Sequence, residues 1–255
     1  VATCPVRDNE RSRHGDVETP DLPGAQSVQR LAGLTAILAS VLAVASLWVG
    51  LAGLDYELDA FSGAEAILGA GAAAATYIRW SQICNLFGNY LLLFPLALLL
   101  WRWLRPANPQ FADFYTLPGL FFLAVGGIES GILVGAWPAM LIDYAHAADT
   151  EREMIATVFV NITRSIEDGL QGLVQNVPGA IWLLGMGGFL KRERPALGWL
   201  TLVFGFFMLV NSLGSLLDNS TLSMIGFSGN LLILPLWAMW IGVDLLRRPA
   251  LTSQG

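Results

Sequence analysis

Lysine occurs once in these 255 residues, histidine twice and cysteine twice, and charged side chains make up only 13% of the chain. A soluble domain carries about twice that charged fraction. The single lysine, Lys191, stands at the end of an apolar run. A buried Schiff-base lysine is therefore excluded, and a retinal pigment with it. His14 lies in a polar N-terminal segment and His146 in a connection between apolar runs, which excludes a haem pair or a copper site at membrane depth. Cys4 is in the same polar segment and Cys84 inside an apolar run, so no disulfide is expected. An acidic pI of about 4.8 leaves no basic stripe for nucleic acid. No Gly-rich phosphate loop is present.

What the chain has in quantity is apolar sequence. Hydrophobic residues make up 55%, and the mean hydropathy is +0.57. Six apolar runs fall at roughly 30–54, 80–104, 114–137, 170–190, 197–217 and 223–246. About 20 such residues cross a hydrocarbon core of roughly 30 Å. Runs without period-2 alternation satisfy their backbone there as helices. The expected fold is an all-α polytopic transmembrane bundle over 28–248. Residues 1–27 carry Arg7, Arg11, Arg13, Asp16, Glu18 and three prolines, and read as a flexible cytoplasmic tail, not a signal peptide. Residues 249–255 form a second tail, and a start at Val1 is expected of a trimmed N-terminus.

Charge gives the orientation. Arg30 precedes span one, Arg102 and Arg105 close span two, Lys191, Arg192 and Arg194 close span four, and Arg247 and Arg248 close span six. The other connections are acidic: Asp55, Glu57, Asp59 and Glu65 after span one, Asp143, Asp149, Glu151 and Glu153 after span three, and Asp218 after span five. Cytoplasmic connections retain positive charge, so both termini are expected in the cytoplasm and the bundle in the cell inner (plasma) membrane. Trp101, Trp103, Trp199 and Trp240 mark the inner ends, and Tyr56, Tyr77, Trp80, Trp137 and Tyr144 the outer ends, as aromatic belts do. Residues 64–75 and 149–168 have helical spacing and are expected as outer helices leading into spans two and four, with Asp149-Thr150-Glu151 capping the second.

Polar residues gather at one depth. Glu129 lies 15 residues beyond Phe114, about 22 Å along a helix. Asn211 falls near its level, with Asn85, Asn89, Ser228 and Asn230 between mid-membrane and the outer boundary. Arg79, Arg164, Glu167 and Asp168 cluster at that boundary. A buried carboxyl requires protein, water or a partner, so an outward-facing polar pocket is expected, with Arg164 or Arg79 neutralising Glu129. The candidate ligand-binding residues are Glu129, Arg164, Arg79, Asn85, Asn89, Asn211 and Asn230. Pro95 and Pro178 would free backbone carbonyls nearby. Against this, Asn and Ser within spans also serve as interhelical hydrogen bonds, and Glu167 and Asp168 could simply meet headgroup water. Gly127, Gly131 and Gly135 form a small-residue stripe opposite Glu129, expected to pack within the chain, with a dimer seam as the alternative, which places span three at the centre of the bundle.

No catalytic, cofactor or metal site is expected. Asp143, His146 and Asp149 have i, i+3 spacing but read as a solvated helix start. Gly226-Phe227-Ser228-Gly229 is similar to the Gly-x-Ser-Gly of intramembrane rhomboid proteases, yet a serine nucleophile needs a base and no span holds a histidine.

Three segments carry a family likeness: Val28-Gln29-Arg30-Leu31-Ala32-Gly33-Leu34, the end of span two at Leu-Trp-Arg-Trp-Leu-Arg-Pro (100–106), and Lys191-Arg192-Glu193-Arg194-Pro195-Ala196-Leu197-Gly198-Trp199-Leu200. The chain resembles a family of uncharacterised bacterial multi-pass membrane proteins with an Arg-x-x-Gly start and a basic-Pro-x-x-Gly-Trp turn. The resemblance covers about half the chain and implies topology alone. Glu129 and the acidic connection at 141–153 depart from it. The leading expectation is binding or translocation of a small polar or amphipathic molecule. The alternatives are an accessory or scaffold subunit of a membrane complex, with membrane-protein partners or a homo-oligomer, and an intramembrane enzyme.

Overall fold

The computed structural model describes residues 23–56, 63–106 and 108–247; Glu57, Asp59, Arg248, residues 1–22 and residues 249–255 lie outside them. Among the described residues every regular element is helical: α1 (Pro23–Gly53), α2 (Ala64–Gly69), α3 (Gly71–Asn85), α4 (Phe94–Leu104), α5 (Pro109–His146), α6 (Asp149–Arg164), α7 (Asn176–Glu193), α8 (Pro195–Leu216) and α9 (Ser220–Arg247). A π turn at Leu86–Tyr90 and a 3-10 turn at Leu91–Leu93 join α3 to α4, and a π-wound stretch at Ser165–Gln175 joins α6 to α7. Six apolar spans result: Gln26–Gly53, Gly71–Leu104, Pro109–His146, Asp149–Glu193, Pro195–Leu216 and Ser220–Arg247. Leu31, Leu34, Leu38 and Val41 on α1, and Leu117, Phe121, Ile128 and Ile132 on α5, are exposed. Apolar faces of that extent belong against lipid. The protein is a multi-pass integral membrane protein.

Each span packs on its chain neighbours and the first packs on the last: α1 on α3, α3 on α5, α5 on α7, α7 on α8, α8 on α9 and α9 on α1. The six spans thus close into a ring. With an even number of crossings, both ends of the described chain leave at one face, termed the terminal face; the opposite one is the far face. At the terminal face Gln29 Nε2 donates to Leu245 O at 2.8 Å. Gly33 and Gly242 oppose one another there, and a methyl on either would meet the other's carbonyl oxygen at 3.0 or 2.8 Å. Further along, Ser40 Oγ donates to Pro235 O at 2.7 Å.

Two apolar cores fill the ring. The larger occupies the terminal half, with Leu93, Leu96, Phe122, Trp182, Phe204, Trp237 and Ile241 buried within it. The smaller one closes the far half under α2 and α6, around Leu54, Ile67, Ile78, Leu133, Trp137, Leu141 and Phe159. In the larger core Trp237 Nε1 donates to Thr201 Oγ1 at 2.9 Å. At its terminal edge Arg194 pairs with Asp244 and lies 5.9 Å from the Trp103 ring centroid.

Several expectations need correction. Span three is one member of the ring, not its centre. Gly131 and Gly135 are exposed, and a methyl on either would meet nothing within 4 Å. Glu129 does point opposite the stripe, which turns the stripe outward once the carboxyl faces inward. The close-packing glycines of α5 are Gly119, against the Trp182 ring, and Gly126, against Tyr90 and Gln175. α5 also runs past its expected limits, through Pro118 and Pro138. Its start is fixed by Pro109 in the first turn and by Asn108 Oδ1 accepting from Phe111 N at 3.3 Å. Trp137 is 6% exposed and not part of an interfacial belt; its Nε1 donates to Thr163 Oγ1 at 3.1 Å. On α6 the cap position is Ala148, with Asp149 and Glu151 inside the first turn, where their charge favours the helix N-terminus.

Candidate ligand-binding cavity

Both π-wound stretches sit just ahead of a proline. Pro95 and Pro178 offer no N–H to the carbonyl four residues back, and their rings crowd that carbonyl. The preceding turn widens, and bonds shift toward i→i+5 over Leu86–Tyr90 and Ser165–Gln175. Widening changes which side chains share a face. Glu167, Gln171 and Gln175 stand four residues apart, and all three line one internal space.

That space is a cleft with about 1240 Å³ of empty volume, counting its open side. It lies between the two apolar cores. Tyr90, Phe122, Met208 and Leu234 form its floor from the terminal core; Leu54, Ile67, Ile78, Leu133 and Trp137 form its roof from the far core. Its lining begins within a turn of the Ser40–Pro235 bond, at Ala43 on α1 and Leu234 on α9. The walls are held by polar contacts between spans. Ser46 Oγ donates to Ser81 O at 2.9 Å, and Ser81 Oγ donates to Ser46 O at 2.8 Å. Asn85 Nδ2 donates to Ser130 Oγ at 2.9 Å, tying α3 to α5, and Asn89 Nδ2 donates to Asn85 Oδ1.

Glu129 is 3% exposed and lines the cleft. Its Oε2 is buried and has no hydrogen-bond partner. The same holds for Gln175 Oε1 and Asn230 Oδ1, two further acceptors of the same lining. Glu167, exposed at the mouth, is near enough to Glu129 for their charges to interact. Among the described residues no ion pair reaches Glu129.

Of the candidate residues, Glu129, Asn85, Asn89 and Asn230 stand together in the lining. Asn211 does not. It lies behind Asn176, accepting from Asn176 Nδ2 at 2.6 Å and donating to Ser223 O at 2.8 Å, an interhelical hub joining α7, α8 and α9. Arg79 and Arg164 are exposed and outside the lining, so neither supplies the counter-ion expected for Glu129. Ser228 is exposed, and the glycines flanking it pack against Asn211 and Phe207, which accounts for Gly-x-Ser-Gly as helix packing. His146 Nδ1 lies 2.8 Å from Ile142 O of its own helix, and among the described residues no three His, Cys, Asp or Glu side chains gather around a metal-sized space.

Sequence reasoning missed Gln171, Gln175 and Asn176, and set Glu167 aside as a headgroup residue. The four-residue spacing 167–171–175 was the available signal, readable once a wider turn before Pro178 is allowed. It also missed Asp244, an acid among basic residues at the terminal end of span six, which is how Arg194 is held. The chain matches no family model, no curated protein and no solved structure.

Proposed function

We propose that this membrane protein binds a small polar or amphipathic molecule in the cleft between its two apolar cores. One observation carries the reading: a carboxyl nine-tenths buried at mid-span lines the cleft, and one of its oxygens has no hydrogen-bond partner. Holding an ionisable group there costs several kcal/mol unless water or a ligand meets it, and a purely structural carboxyl would be expected to have a protein partner. The two π-wound stretches beside the cleft belong to the same reading, because such windings collect at functional sites.

The reading includes an orientation. Both termini lie in the cytoplasm of a bacterial inner membrane, since Arg30, Arg102, Arg105, Lys191, Arg192 and Arg247 stand toward the terminal face while the far face is mainly acidic. The cleft, nearer the far face, then opens outward.

The test fills the cleft without altering its charge. Leu47 is half-buried in the lining, and Leu47→Trp reduces the space. Thermal unfolding of the detergent-solubilised protein is followed across a library of small cationic, neutral and anionic compounds. Compounds that raise the midpoint of the wild type should fail to do so for Leu47→Trp. Equal stabilisation of both would refute the reading.

A further inference from the structure

We infer that the cleft is built for an organic cation, an ammonium-type head carried on an apolar body; this rests on the cleft being a ligand site and specifies what it takes. The charge of the wall argues first. Among the described residues its ionisable side chains are Glu129, Glu167 and Tyr90, and no Lys, Arg or His lines it. A carboxylate or phosphate ligand would pass Glu167 at the mouth and bring like charge beside buried Glu129, where water screens little. The unpartnered atoms argue next. Glu129 Oε2, Gln175 Oε1 and Asn230 Oδ1 all accept hydrogen bonds, and an ammonium group offers donors and no acceptor. Glu129 and Gln175 are 3% and 1% exposed, so these acceptors are built into the interior.

The remaining wall selects an organic cation over a bare metal ion. Hard cations require six or more oxygen ligands at close range, carboxylates foremost, whereas among the described residues no three His, Cys, Asp or Glu side chains gather as a metal site would need. Tyr90, Phe122 and Trp137 line the same space, and aromatic rings attract ammonium groups within about 6 Å. Leu54, Ile67 and Leu133 at the roof suit an apolar body.

The experiment uses the full chain in lipid nanodiscs with four probes. 2-Phenylethylammonium, 2-phenylethanol and phenylacetate share one apolar body and differ in head charge; sodium chloride is the inorganic arm. Calorimetry should find the ammonium bound more tightly than the alcohol, no binding of phenylacetate, and loss of the ammonium signal in Leu47→Trp. Glu129→Gln should weaken the ammonium roughly ten- to hundredfold, as losing one charge-assisted contact implies, and leave the alcohol unchanged. Glu129→Asp should recover part of the loss. Glu167→Gln, at the exposed mouth, should weaken the ammonium several-fold and guards against misfolding of the Glu129 variants. If the alcohol or phenylacetate binds as tightly as the ammonium and Leu47→Trp removes it, the cation assignment falls while the cleft remains a ligand site. Sodium bound in a Glu129-dependent way without the ammonium also overturns it. If no probe is lost in Leu47→Trp, both readings fall.

Discussion

Glu129 and Gly126 lie one turn apart on the same face of α5 and answer different demands. Gly126 lets the Tyr90 ring and the Gln175 amide come against the helix, and those two side chains form the wall beside the carboxyl. Gly126→Ala should lower stability by about 1–3 kcal/mol through overpacking. Gly131→Ala, with open space around it, should be neutral or gain about 0.5–1 kcal/mol from the better helix former. Thermal unfolding of the two variants in one detergent separates them; equal losses would contradict the outward facing of the Gly131 stripe. A second residue-scale case is Asp244. Asp244→Asn leaves Arg194 buried without its carboxylate and should cost about 3 kcal/mol, read by the same measurement. Asp113→Asn, whose partner Arg105 is half-exposed at 54%, should change stability by less than about 1 kcal/mol.

At the scale of elements, spans two and four use one device. A helix from the far face widens before a proline and narrows again toward the terminal face. Widening lets polar residues spaced by four look into one cleft. It also brings Gly88 against α1, where a methyl would meet Ala43 N at 2.5 Å and Leu42 C at 2.8 Å. Backbone cannot yield as a side chain does, so Gly88→Ala should open the seam between span one and span two. The reciprocal Ser46–Ser81 bonds hold that seam next to the cleft. A double-mutant cycle of Ser46→Ala and Ser81→Ala should give a coupling of about 0.6–1.7 kcal/mol, the range of hydrogen bonds between membrane helices. Additive single effects would mean that each hydroxyl finds another partner.

For the molecule as a whole, closure of the ring decides most of the site. An apolar core in each half leaves the polar side chains of five spans only the middle to meet in. The proposed orientation predicts that a C-terminal green fluorescent protein fusion fluoresces in bacterial cells and that a C-terminal alkaline phosphatase fusion is inactive. The reverse pattern would invert the membrane sides and turn the cleft toward the cytoplasm. Much of the fold was legible beforehand: six spans, helical connections at 64–75 and 149–168, and a buried carboxyl at 129. The site was legible only in part. Glu129, Asn85, Asn89 and Asn230 share a depth and a wall, whereas Asn211 shares the depth but faces Asn176 and Ser223. Depth follows from counting residues. Azimuth depends on which neighbour each face meets.

The sequence by itself determined that this chain crosses a membrane six times and that a carboxyl sits far from either end of its helix, because hydrophobic length and helical rise are local quantities. Only the tertiary structure decided that the carboxyl lines a cleft with no arginine among the described residues, that the glycine stripe turns outward, and that Arg194 belongs to Asp244. Those outcomes depend on the rotation of each helix about its axis. Packing against neighbours sets that rotation, and a wider turn ahead of a proline shifts it by more than any local pattern records.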